Sequence, residues 1–325
     1  MEFLSNEVNV DVIGFGALNL DKFYFVDKIA DHDEESFIKS KKNSPGGSAA
    51  NTIIGLSRLG LKTSFIGKIA EDDDGEVIEL NLAYNEVFSN NLIYSETGST
   101  GKVFDFVDTE GERALYVDPG VNDDIIIDEI NMDNVNATKI MHFSSFVGDS
   151  FKAQNDLIDK LNDDIILSFD PGMIYARRGI NELMKILKRT NILLTNETEF
   201  RLFYEEYYRE KANVEDNDSI TISDMARHIL KLGIDTVVVK KGIDGVFALN
   251  KNDVSNVKSF KVKPIDTTGA GDSFNSGFLY SYIKGFSLSK SCIIGNWVAS
   301  KSVQSVGMEG FPSLDELKEF ETEIN

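Results

Sequence analysis

Apolar positions along the chain recur with two periods, and the switches between them mark out its elements. The first apolar run, VNVDVIGFG (8–16), reads as a buried strand. GGSAANTIIGLSRLG (46–60) then shows helical spacing between opening glycines and a closing Gly60. KTSFIGKI (62–69) is a strand and DGEVIELNLAYNEVF (74–88) a helix. From 91 to 118 the period drops to two. NLIYSE, GKVFDFVD and ERALYVD are short β-like runs parted by the turns TGST and TEG. Beyond them strands fall near 139–143, 164–170, 191–195 and 235–241, with helices near 150–162, 179–189, 197–206 and 221–232. REKANVEDNDSI (209–220) is polar and reads as a surface loop. Helices near 270–285, 288–305 and 313–323 close the chain.

Strands alternating with helices predict an α/β fold, a mostly parallel sheet with helices on both faces. The β-only stretch does not fit between those layers. With FIKSKKNS (37–44), which is polar and has no core of its own, it predicts a small separate β-sheet, and such an appendage often serves as a lid. The expected organisation is a single domain over 1–325, with lid segments at about 15–45 and 91–122.

Charge and composition narrow the partners. Lys+Arg number 33 and Asp+Glu 54, a formal net charge of −21. Such a chain repels a phosphate backbone, so no nucleic-acid partner is expected, and solubility accounts for the acidity. At 325 residues and 42% hydrophobic, the chain can bury a sizeable core. Cys292, the only cysteine, lies in an apolar helical stretch and reads as a buried small hydrophobe. A disulfide framework and a Cys-rich metal site are excluded. The first residues, MEFLSNEVNVDVIGFG, lack a basic flank before an apolar run, and no apolar run approaches 18 residues. Neither a signal peptide nor a membrane span is expected, and a cytoplasmic location follows.

In open α/β sheets ligands bind beyond the carboxyl ends of the strands, so each strand end is a candidate. The first ends GFGALN, a near miss of the dinucleotide fingerprint G-x-G-x-x-G with Asn19 at the third glycine, which argues against an oxidoreductase. Asn19 and Asp21 are placed to hydrogen-bond a ligand's hydroxyls; ordinary turn chemistry accounts for them equally well. PGGSAAN (45–51) sets Gly46 and Gly47 before a helix that contains Asn51. It nearly matches a nucleophile elbow, but no strand runs directly into it and only three histidines exist to act as base, so a hydrolase is disfavoured. No Walker A loop is present. LLTNETEF (193–200) puts Asn196 and Glu199 three residues apart in a first helical turn. An amide and a carboxylate there suit hydrated Mg2+; a capping box is the structural alternative. In VVVKKGIDGV (237–246), Lys241, Gly242 and Gly245 read either as a hairpin turn or as backbone lying close to a nucleotide.

DTTGAGDSFNSG (266–277) carries the most chemistry. Gly269, Ala270 and Gly271 precede or open a helix whose first N–H groups lack partners and face outward at the positive end of the helix dipole. That is an anion hole, and glycines keep side chains out of it. Asp272 stands beside it, positioned to take a proton from an attacking hydroxyl. The pair suits phosphoryl transfer to an alcohol. An acidic first turn with glycines for tight packing is the bland alternative. Asn196, Glu199 and the lid-like insertion favour the kinase.

These motifs resemble those of the ribokinase-like carbohydrate kinases of phosphofructokinase-B type. DTTGAGDSFNSGF is similar to that family's C-terminal signature and GGSAANTIIGLSRLG to its N-terminal one. The order of the Gly-Gly, Asn-x-x-Glu, Lys-Gly-x-x-Gly and Gly-Ala-Gly-Asp motifs extends the resemblance along nearly the whole chain. It implies ATP- and Mg2+-dependent transfer of the γ-phosphoryl group to a hydroxyl, often a hydroxymethyl, of a sugar or nucleoside. It implies Asp272 as base, Gly269, Ala270 and Gly271 as anion hole, and Asn196 and Glu199 organising Mg2+, Glu199 through water. Asn19, Asp21, Gly46, Gly47 and Asn51 would hold the acceptor, with Arg113 and the Gly120–Asn122 return of the lid nearby. Lys241, Gly242 and Gly245 would line the ATP site, with the segment around Gly307 closing over it. Asp266 and Thr268 would bind a monovalent cation such as K+, which several members need.

The chain departs from that pattern twice. Lys240-Lys241-Gly242 stands where ribokinase itself usually has Thr-x-Gly. SFDPGMIYARR (168–178) has Gly172 where Asn is common, which resembles archaeal-type nucleoside kinases as much as sugar kinases. Free sugars rank first as acceptors, nucleosides second and phosphosugars third. Phe104, Phe106 and Tyr116 are candidates to pack a sugar face or a base. An apolar lid face predicts a homodimer.

Overall fold

In chain order the strands are β1 (Val12–Phe15), β2 (Asn19–Val26), β3 (Ile38–Gly46), β4 (Thr63–Ala70), β5 (Leu92–Ser95), β6 (Gly101–Val107), β7 (Arg113–Asp118), β8 (Ile140–Ser144), β9 (Ile166–Asp170), β10 (Ile192–Asn196), β11 (Thr236–Lys240), β12 (Val246–Asn250) and β13 (Val254–Val257). The computed structural model describes residues 10–212 and 220–324. Nine strands form one sheet in the order β13-β12-β11-β10-β9-β8-β1-β4-β5, and four form another in the order β3-β2-β6-β7.

From β11 to β5 the large sheet is parallel, as the α/β alternation predicts. Its inner strands are apolar almost throughout, because helices cover both faces. β4 (TSFIGKIA) is buried along its whole length. Helices Ser48–Arg58, Asp73–Tyr84, Ala270–Ile283, Leu288–Ser302 and Leu314–Glu323 contribute to one core. Ser150–Ile158, Gly179–Arg189, Glu197–Ala212 and Ile222–Leu230 contribute to the other. Cys292 is buried in the first core, and burial pushes its thiol up to about 12, as fits a small hydrophobe.

Two expectations need correction. NLIYSE does not join the small sheet: β5 pairs in parallel with the outer edge of β4. Four residues between turns look alike in sequence whether they pair with a lid or with a sheet edge. The small sheet is therefore β2, β3, β6 and β7, not the whole of 91–122. The turn at Gly242–Gly245 is a hairpin into VFALN, as one of the two sequence readings had it: β12 pairs antiparallel with β11, and β13 with β12 finishes the large sheet. The predicted loop at 209–220 begins too early, since the helix runs to Ala212; residues 213–219 lie outside the described residues.

Two registers position the site. Ser144 stands beside Asp170 and Asn196 beside Lys240, so four strands end in a polar row at their carboxyl ends. In the small sheet, Asn19, Asp21 and Phe23 sit beside Gly101, Val103 and Asp105, and Val103 in turn sits beside Val117. Those residues share one face. The opposite face carries Lys22 and Lys102, both paired with Asp74 of the helix Asp73–Tyr84, which ties the small sheet to the large one.

Candidate active site

The carboxylate of Asp272 is held from a second helix. Ser48 Oγ donates to Asp272 Oδ1 at 2.7 Å and Asn51 Nδ2 to Oδ2 at 2.9 Å. This is possible because helices Ser48–Arg58 and Ala270–Ile283 approach closely; a methyl group at Gly55 would collide with Ser276 Oγ. Burial pushes Asp272 up to about 6, against the lowering effect of the Asn51 and Ser48 bonds. A carboxyl poised there is ionised at neutral pH and basic enough to accept a proton.

The loop before it is left-handed at Gly269 (φ 72°), a conformation that favours glycine. The amide of Ala270 donates to Thr267 O at 3.2 Å, so it is not a free donor as expected. Gly271 and Asp272 follow in the first turn, where helical geometry leaves amides without an i−4 carbonyl.

A charged group lies beneath that turn. Lys240 Nζ donates to Asp170 Oδ2 at 2.8 Å and to Asn275 Oδ1 at 3.1 Å, while Asn275 Nδ2 donates to the same Asp170 oxygen at 2.7 Å. Burial alone would neutralise both charges, but each partner's field, with the hydrogen bonds, outweighs it. Asp170 is held below the usual carboxylate range and Lys240 above the usual amine range. Glu199 and Asn196 form the reciprocal cap: Asn196 N donates to Glu199 Oε2 at 2.9 Å and Glu199 N to Asn196 Oδ1 at 2.8 Å. Burial first, then the Asp170 charge, raises Glu199. Among the described residues no group of three or more His, Cys, Asp or Glu side chains is arranged to hold a metal ion.

Two cavities flank Asp272, which lines neither: its bonded partner Ser48 lines one, and Gly271, the residue before it, lines the other. One, of about 380 Å3, is mainly apolar and is lined by Ala270, Gly271, Phe274, Lys240, Gly242 and Gly245. Lys241 is not among its lining residues; its amine donates to Asn256 Oδ1 on β13 at 3.0 Å, and it is Lys240 that faces the cavity. Gly307 also lies outside the lining, with its amide on Asp266 Oδ2 at 3.1 Å; the other Asp266 oxygen accepts from Thr268 N at 2.9 Å. These two bonds hold Asp266 below its usual range, against its burial.

The other cavity, of about 260 Å3, lies between the small sheet and the strand ends. Asn19, Gly47, Ser48, Asn122, Asp123 and Ser144 form its polar side; Val103, Leu115, Val117, Val147 and Ile174 form its apolar side. Asn19 Oδ1 accepts from Asn122 Nδ2 at 2.9 Å. Gly47 is needed on two counts: φ is 117°, and a methyl group would strike Ala17 O. A methyl group on Gly46 would strike the Asp21 carboxylate, which burial raises to about 6 while the Arg113 charge opposes it. Arg113 is paired with Asp105, itself buried, on that face. Asn51 turns to Asp272 rather than lining this cavity. Phe104, Phe106 and Tyr116 do not line it either. Strand alternation sends them to the opposite face, where Tyr24 stacks on Phe106 with centroids 5.2 Å apart.

Sequence reasoning missed Ser48, Asp170, Lys240 and Asn275 as site residues. Lys240 is the last residue of a strand beside the candidate Asn196, and Asp170 the last residue of a strand beside Ser144, a placement that register alone reveals. Asn275 is a fully buried amide, the kind of position that demands a partner.

The chain matches the description "pfkB family carbohydrate kinase" over residues 10–314. It is 38% identical over 264 residues to an uncharacterized sugar kinase of Archaeoglobus fulgidus, covering 80% of this chain and 98% of that one. A nucleoside kinase of Methanocaldococcus jannaschii is 29% identical over 94% of both chains. The crystal structure of a ribokinase from Thermotoga maritima superimposes with a TM-score of 0.83 at 26% identity, covering 96% of this chain and 99% of that one. The chain belongs to the pfkB family of carbohydrate kinases, phosphotransferases that act on an alcohol group.

Proposed function

We propose that the chain transfers the γ-phosphoryl group of ATP to a primary hydroxyl of a free sugar, with Asp272 as the base. The observation that carries this reading is the position of Asp272 between the two cavities. It is bonded to Ser48, which lines the polar one, and follows Gly271, which lines the apolar one. The fit to a nucleotide rests on the same features: an apolar cavity suited to a base opens beside the free amides of Gly271 and Asp272.

In this reading Asp272 takes the acceptor's proton as the acceptor oxygen bonds to the γ-phosphorus and the bridge to the β-phosphate breaks. The amides of Gly271 and Asp272 receive the charge that develops on the transferring group. Glu199 and Asn196 would hold Mg2+ through water, a mode that needs few protein ligands. When bound, Mg2+ neutralises phosphate charge. Asp266 and Thr268 would hold a monovalent cation such as K+. Asn19, Asp21 and Asn122 meet the acceptor's hydroxyls, and the small sheet closes over them to exclude water. Tyr24, Phe104, Phe106 and Tyr116 form the apolar face through which two copies pair as a homodimer. The whole chain acts as a single domain, in the cytoplasm.

A nucleoside acceptor is the second reading. The aliphatic wall of Val147, Ile174 and Leu115 favours it, since it offers a flat base an apolar face. The test is kcat/KM with ATP and Mg2+ across ribose, fructose, adenosine, cytidine, inosine and fructose 6-phosphate. A free sugar is expected to lead. A nucleoside in front promotes the second reading, and fructose 6-phosphate in front overturns the reading of Asp21, whose carboxylate repels a phosphate.

A further inference from the structure

We infer that Lys240 is a further catalytic residue, whose ammonium binds the terminal phosphate of the nucleotide from beneath the Gly269–Gly271 turn. The inference rests on the kinase reading above and deepens it.

Three observations converge on the Lys240 ammonium. It is placed at the turn: a methyl group on Gly271 would lie 3.4 Å from Nζ. It faces the apolar cavity, whose lining includes both Lys240 and Gly271. And it has a donor to spare. An ammonium has three N–H groups; among the described residues two acceptors, Asp170 Oδ2 and Asn275 Oδ1, take hydrogen bonds from it. The third is left for a ligand in the cavity that Lys240 lines.

The surrounding carboxylates keep the ammonium charged. Asp170, Glu199 and Asp272 all act on Lys240, so an extra anion in the cavity meets a cation already fixed in place. A lysine pinned at its base by Asp170 and Asn275 needs no reordering when the phosphate arrives, which is how fixed charge speeds a loose phosphoryl-transfer step. The bland alternative is that Lys240 only neutralises buried Asp170.

The experiment compares wild type, Asp170→Asn and Lys240→Met/Asp170→Asn by thermal melting and by calorimetric titration with two probes, the β,γ-imido analogue of ATP and AMP. AMP lacks the β- and γ-phosphates, so it has no γ-phosphate to reach Lys240. The double variant removes both charges together and is expected to melt no lower than Asp170→Asn. Relative to Asp170→Asn it should lose at least tenfold in affinity for the ATP analogue and less than twofold for AMP. Equal losses for the two probes, or none, assign Lys240 to Asp170 alone and overturn the inference. Lys240→Gln, which keeps a donor but no charge, is titrated against wild type in the same way, so an unstable double variant leaves the test intact. Wild type that binds neither probe overturns the kinase reading itself.

Discussion

Asn51 Nδ2 sits 2.9 Å from Asp272 Oδ2, so a residue expected to hold the acceptor instead holds the carboxylate. Its consequence is electrostatic. The bond favours the ionised form and opposes the burial that raises Asp272 to about 6. A base must be ionised to act, so activity should be present above about pH 6 and lost as pH falls through it. Asn51→Leu removes the donor, so the acid limb of kcat/KM against pH should move to higher pH. An unmoved limb would mean that Asn51 does not tune this group.

The fold was largely legible because its periods are long and consistent: β1, β4 and β8 to β11 all fall where the apolar runs predict. The site was legible where a motif is local. Gly269 to Asp272 carry their chemistry in four consecutive residues. It was not legible where two strands must be aligned first. Lys240 and Lys241 are indistinguishable in the string VVVKKG, and alternation along β11 alone turns the first toward Asp170 and the second toward Asn256. Phe104 and Val103 pose the same problem on β6, and there the aromatic faces away from the cavity.

Two glycines should respond differently to alanine. At Gly47 a methyl group meets Ala17 O in a left-handed backbone, so Gly47→Ala should cost on the order of 1–3 kcal/mol of stability. At Gly269 the nearest atoms to a methyl group are 3.8 Å and 3.9 Å away, so only the left-handed backbone is penalised, by about 1 kcal/mol. Yet Gly269→Ala should lose activity on the order of a hundredfold, because it narrows the anion hole. Melting and turnover of the two variants measured side by side check this. Equal ratios of activity lost to stability lost would count against a phosphate site at Gly269.

Closure of the small sheet should be visible in amide exchange. Strands β2, β3, β6 and β7 are expected to slow when acceptor binds. β5 is hydrogen-bonded to β4 in the large sheet and should not respond. Slowing confined to β5, or none at saturation, would remove the lid from the account.

The central claim is that Asp272 is the base, and Asp272→Asn tests it most directly. The change is nearly isosteric. A carboxyl raised to about 6 from a reference of 3.8 is stabilising below that reference and loses its contribution as pH rises toward 6. The variant should therefore melt higher than wild type at pH 8, by about 1 kcal/mol after allowing for partial exposure, and the gap should close toward pH 4. Against that intact fold, ADP release at saturating ATP, Mg2+ and acceptor is predicted to fall by about 10²–10⁴-fold. Turnover near that of wild type in the folded variant would contradict the claim and leave Asp272 as a residue of the helix's first turn.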